Sequence, residues 1–126
     1  MMESKGKILV VDDHKTVLKL MEAVLKLKKY DVVYAEDGPQ GIEVARREKP
    51  DLIFLDVIRP EMYGFKVCQY LKGDVVTKDI PIVFLTARGE EADVEMGRKS
   101  GGDEFVKKPF KSLEIIKILE RFLEKK

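Results

Sequence analysis

The chain has 126 residues and an apolar share of 44%, the length of one domain and the composition of a folded one. Its 24 basic and 23 acidic residues leave a net charge of +1, which supplies no broad basic footprint and excludes direct nucleic-acid binding as an expectation. One cysteine, Cys68, rules out an intrachain disulfide; no segment reaches the ~18 apolar residues of a membrane span, and the first residues lack a signal-peptide core, so a cytoplasmic protein is expected.

Short apolar runs alternate with amphipathic stretches. Ile8-Leu9-Val10-Val11 reads as a buried strand. From about His14 to Lys28, apolar residues at 17, 20, 21, 24 and 27 follow helical spacing. Asp31 to Ala35 is a second strand. Asp37-Gly38-Pro39 then opens a helix, with Asp37 as its cap and Pro39 in its first turn. Lys49-Pro50 stops that helix. Asp51-Leu52-Ile53-Phe54-Leu55 is apolar behind one acid, the mark of a strand covered on both faces.

A loop containing Pro60 and Gly64 leads to a helix of about Phe65 to Lys72. Pro81 to Leu85 is the fourth strand. The fourth helix, about Glu90 to Lys99, is poor in apolar residues and ends at Gly101-Gly102. Glu104 to Val106 is a short fifth strand. A last helix runs from Phe110 to about Glu124, with its apolar residues in an arc of about 160°. Five strands alternating with five helices predict an α/β fold: a parallel sheet with helices on both faces and right-handed crossovers. No repeat or interior linker divides the chain, so residues 1–126 read as one domain with an ordered core of about 6–124.

Sites in such sheets form beyond the carboxyl ends of the strands. There the sequence places Asp12 and Asp13 after the first strand, Asp56 after the third, Thr86 after the fourth, and Lys107, Lys108 and Pro109 after the fifth. Three crowded carboxylates repel unless a cation intervenes, and hard oxygen donors suit Mg²⁺ better than zinc. An ammonium and a hydroxyl beside them complete a pocket for a phosphoryl group. The bland alternatives are strand-end acids that cap helices, with Asp13 able to cap the first, and a solvated lysine, as Lys107 is expected to be. His14 fits a surface residue at a helix start better than a ligand, and Cys68 a core residue.

The order and spacing of "VVDD" at 10–13, "DLIFLD" at 51–56, "P-x-M-x-G" at 60–64, "TA" at 86–87 and "KP" at 108–109 resemble the response-regulator receiver domains of bacterial two-component signalling. The resemblance implies a three-layer, flavodoxin-like (βα)5 sandwich with strand order 2-1-3-4-5. It implies Asp56 as phosphoacceptor, and Mg²⁺ held by Asp13, Asp56 and the main-chain carbonyl of Ile58, with Asp12 acting mainly through a water. Lys108 would pair with a phosphoryl oxygen or with Asp56, Thr86 would reorient toward the phosphoryl group, and Phe105 would be the aromatic switch, with core packing as its equal alternative. A cis Lys108–Pro109 bond is also implied.

The implied partners are a sensor histidine kinase or histidine phosphotransfer protein and a downstream protein target, with a monomer or a weak phosphorylation-dependent dimer. The output surface would be helix four, strand five and helix five. Arg59, Tyr63, Gly102 and Phe105 depart from the commonest residues of the family, and Ile58 and Arg88 would tune the phosphoryl lifetime. The chain reads as a switch rather than an enzyme, and a stand-alone receiver is the expectation over a piece of a longer protein. A phosphohydrolase would need an acid where Ile58 stands. A flavin carrier would need a phosphate loop where Asp12 and Asp13 stand.

Overall fold

The computed structural model describes residues 4–56, 62–86 and 91–124; the side chains of residues 62, 63 and 91–94 are not included in that description. The elements alternate as β1 (Lys7–Val11), α1 (Lys15–Leu27), β2 (Asp31–Ala35), α2 (Gly38–Glu48), β3 (Leu52–Asp56), α3 (Met62–Gly73), β4 (Ile82–Thr86), α4 (Glu91–Lys99), β5 (Glu104–Lys107) and α5 (Ser112–Phe122). The five strands form one parallel sheet in the order β2-β1-β3-β4-β5. This is the flavodoxin-like arrangement that the family resemblance implies.

The apolar runs explain why the sheet has two buried faces. Ile8, Val10, Leu52, Phe54, Val83 and Leu85 point to one side, where Met21 and Leu25 of α1 and Ile115 and Leu119 of α5 cover them. Leu9, Val11, Ile53, Leu55, Ile82 and Phe84 point to the other, against Val44 and Ala45 of α2 and Phe65, Cys68 and Leu71 of α3. The period-two pleat sends alternate residues of one strand into each layer. Each fully buried Leu, Ile or Phe contributes about 1.5–3 kcal/mol relative to exposure.

Helix ends follow local chemistry. Asp37 caps α2, accepting from the Gln40 N–H at 2.9 Å, and Lys49 closes it in the left-handed conformation at φ 48°. The first turn of α3 begins ahead of Phe65, because Gly64 is buried within it rather than preceding it. α5 starts two residues after Phe110, because Glu114 reaches back to accept from the Lys111 N–H at 2.8 Å and sets Lys111 as the cap.

Tyr30, buried between α1 and β2, ties that junction to the residues after α5 by donating its hydroxyl to Glu124 at 2.8 Å. That bond, with lesser help from Lys5, holds the Glu124 carboxyl below its ordinary 4.5. A depressed carboxyl stabilises above its unfolded pKa, and that contribution fades as pH falls through the folded value. Tyr30→Phe should therefore cost about 1 kcal/mol at neutral pH and lose less stability than the parent on acidification below pH 4.5. Urea titrations across that range check both.

Candidate functional site

Register brings the polar strand ends level with one another. Val11 pairs with Leu55, so Asp12 lies beside Asp56 at the mouth between β1 and β3. Asp56 pairs with Leu85, which sets Thr86 one residue further out on β4. Thr86 in turn pairs with Lys107, and Lys108 follows. The Lys108 N–H donates to the Thr86 carbonyl at 2.6 Å, and the Lys108–Pro109 bond is cis, as expected.

This turn directs Lys108 inward while Lys107 stays exposed. The Lys108 ammonium donates to Asp12 Oδ2 at 2.8 Å and sits 3.0 Å from Asp56 Oδ1. All three side chains are buried or nearly so: 0% exposed for Asp12, 6% for Asp56 and 12% for Lys108. Burial, with the neighbouring Asp12 charge second, pushes the Asp56 carboxyl above its ordinary range, although Lys108 opposes both. Burial pulls the Lys108 ammonium down, but the bond to Asp12 and the Asp56 charge outweigh it and the net shift is upward. Burial and the adjacent acid thus raise Asp56 against the pull of Lys108, while the two acids together raise Lys108.

Asp13 lies at the rim, with its side chain about half exposed. It does not cap α1. The cap residue is His14, which makes no side-chain cap bond; instead Asp12 Oδ1 accepts from the His14 N–H at 2.8 Å. The His14 ring also turns to the acids, with Nδ1 2.9 Å from Asp12 Oδ1 and 3.3 Å from Asp13 Oδ1. The position of His14 at the helix start is as expected from sequence, but its engagement with both acids is not. The available signal was the Asp12-x-His14 spacing, which allows an Asp side chain to bind the main chain two residues on.

Among the described residues, Asp12, Asp13, His14 and Asp56 each offer a ligand atom within 4.8 Å of the others. Three carboxylates and one ammonium leave two formal negative charges here, so a dication balances the cluster. Both Asp12 oxygens already have protein partners, which suits an indirect role for Asp12 and leaves Asp13 and Asp56 as the freer donors. The acidic pocket thus fits Mg²⁺ in charge and donor type. Ile58, Arg59 and Arg88 lie outside the described residues, as does Tyr63 in its side chain.

Thr86 is buried. Phe105 stands apart from the acids, in an aromatic cluster 5.3 Å from the Phe84 ring and 6.5 Å from that of Phe65. Cys68 is in the core, as expected. No helix among the described residues is long and apolar enough to cross a membrane.

Known proteins share both sequence and geometry with this chain. PhoP of Bacillus subtilis, an alkaline phosphatase synthesis transcriptional regulatory protein, is 41% identical over 109 residues, 86% of this chain and 45% of PhoP. The response regulator PleD of Caulobacter vibrioides is 44% identical over 104 residues, 82% of this chain and 23% of PleD. The chain thus spans less than half the length of these relatives. The receiver domain of the sensor histidine kinase PA1611 from Pseudomonas aeruginosa, solved with a magnesium ion in its active-site cleft, superposes with a TM-score of 0.85 at 29% identity, covering 95% of this chain and 98% of that one. The chemotaxis protein CheY4 of Vibrio cholerae gives 0.86 at 29% identity, covering 94% and 98%. The family described as the response regulator receiver domain matches residues 8–120. On sequence and on fold alike, the chain belongs to the receiver domains of two-component response regulators.

Proposed function

We propose that this receiver takes a phosphoryl group onto Asp56 and signals through the conformational change that follows. The observation that carries this is the Lys108 ammonium lodged between two buried carboxylates, at 2.8 Å and 3.0 Å. Such a cation serves poorly as mere scaffolding, because desolvating three charges offsets much of what the pairing gains. It serves well where new negative charge must be held.

A sensor histidine kinase or a histidine phosphotransfer protein presents phosphohistidine. An Asp56 carboxylate oxygen attacks phosphorus in line, the P–N bond breaks, and the leaving imidazole nitrogen keeps the electron pair and takes a proton. Lys108 neutralises charge on the phosphoryl oxygens, at the cost of one of its bonds to the acids. Asp13, Asp56 and the Ile58 main-chain carbonyl would hold Mg²⁺, with Asp12 acting through water. Bound there, the ion supplies charge neutralisation for the transferring group. The product is an acyl phosphate with nearly two added negative charges. Thr86 turns its hydroxyl to that group, and Phe105 moves with it, altering the surface of α4, β5 and α5 that a downstream protein reads.

Incubation with acetyl phosphate and Mg²⁺ tests this by intact mass. The parent should gain one phosphoryl group and Asp56→Asn none. Equal labelling of both, or no labelling of the parent, would remove the proposal.

A further inference from the structure

His14 has an unusual set of bonds for an exposed helix-start residue. Its main-chain N–H and its ring Nδ1 both engage Asp12 Oδ1, at 2.8 Å and 2.9 Å, and Nδ1 also lies 3.3 Å from Asp13 Oδ1. The side chain does no capping work for α1, and 64% of its surface is open to solvent. The ring is nonetheless turned back over the acids rather than outward. In octahedral coordination with bonds near 2.1 Å, adjacent donor atoms stand about 3.0 Å apart. Nδ1 stands 3.3 Å from Asp13 Oδ1, near that spacing, while its 2.9 Å approach to Asp12 Oδ1 is a hydrogen-bond distance that holds the ring over the pocket. One donor atom from each of Asp12, Asp13, His14 and Asp56 falls within 4.8 Å of the rest.

We infer that His14 is a nitrogen donor to the cation pocket and sets its metal preference. This rests on the proposal that the acids hold a divalent ion. An all-oxygen pocket suits Mg²⁺, whereas imidazole adds little for Mg²⁺ and much for the later first-row divalent ions. With a nitrogen beside Asp13 and Asp56, the pocket takes Co²⁺, Ni²⁺ or Zn²⁺ more tightly than its carboxylates alone would. The identity of the ion in the pocket then depends on which of these metals is available, and not on Mg²⁺ alone.

Calorimetric titration of the metal-free full chain with Mg²⁺ and with Co²⁺, in mildly alkaline buffer, tests this for the parent, His14→Asn and His14→Ala. Asn is a favoured helix cap, so the first variant keeps the start of α1. Co²⁺ affinity should fall about tenfold or more in both variants while Mg²⁺ affinity changes less than about threefold. The visible absorption of bound Co²⁺ should shift as nitrogen leaves the coordination sphere. Equal changes for the two metals would overturn the inference and leave His14 a hydrogen-bond partner of Asp12, with the Mg²⁺ proposal intact. Binding of neither metal by the parent would overturn both. Asp13→Asn separates the two claims further, since it should weaken both metals together.

Discussion

Lys108→Met should lower the unfolding free energy of the metal-free protein by about 3 kcal/mol. The ammonium is the one cationic group bonded to both Asp12 and Asp56 among the described contacts. Methionine of similar length fills its volume but leaves two carboxylates buried together. Breaking such a pair by removing one partner costs about 3–5 kcal/mol. The low end applies because Asp56 already has a raised pKa and can take up a proton instead of staying charged. Saturating Mg²⁺ should restore most of the loss if the acids hold the ion, so urea midpoints in EDTA and in Mg²⁺ should diverge in the variant far more than in the parent. Labelling by acetyl phosphate should slow roughly a hundredfold, the usual cost of removing one preorganised charge. An unchanged urea midpoint in EDTA would mean that the buried pairing contributes nothing net.

Gly97→Ala should destabilise the protein by about 1–2 kcal/mol, against the propensity gain of about 1 kcal/mol that Ala brings to a helix. Gly97 sits buried in α4, facing the aromatic cluster. A Cβ there would overlap Phe105 Cε2 and stand 3.2 Å from Phe105 Cδ2 and from Phe84 Cδ2. Gly102 makes room in the same way, since its Cβ would overlap Phe84 Cε2. The two glycines therefore leave space for the Phe65, Phe84 and Phe105 rings to pack, and a methyl group added at Gly97 would push the Phe105 ring aside. In a Phe105→Leu background the cost should shrink, giving a coupling of about 1–2 kcal/mol in a double-mutant cycle. If Phe105 carries the signal, Gly97→Ala should weaken phosphorylation-dependent partner binding while labelling of Asp56 persists. Additive stability effects would count against the clash.

The same cluster explains why Phe105 could not be assigned from sequence alone. A half-buried aromatic at a strand end is compatible with packing and with switching. Its neighbours come from α3, α4 and β4, three separate elements that meet only in the folded chain. In the sequence Gly97 only adds to the scarcity of apolar surface on the fourth helix, and it gains meaning when a ring stands opposite it.

Much was legible beforehand. The doubly buried β3 and β4 follow from uninterrupted apolar runs, the cap at Asp37 from its chemistry, and the gathering of Asp12, Asp56, Thr86 and Lys108 from their places at strand ends. These are local properties: pleat period, helical spacing and turn chemistry act over a few residues. Tertiary structure decided what depends on distance between remote segments. It divided three similar acids into a buried pair that shares Lys108 and a rim residue, Asp13. It turned His14 toward both oxygens, and it set the Phe105 ring against a missing Cβ. Charge burial and ring packing are properties of neighbours in space, and a chain written in one dimension does not name those neighbours.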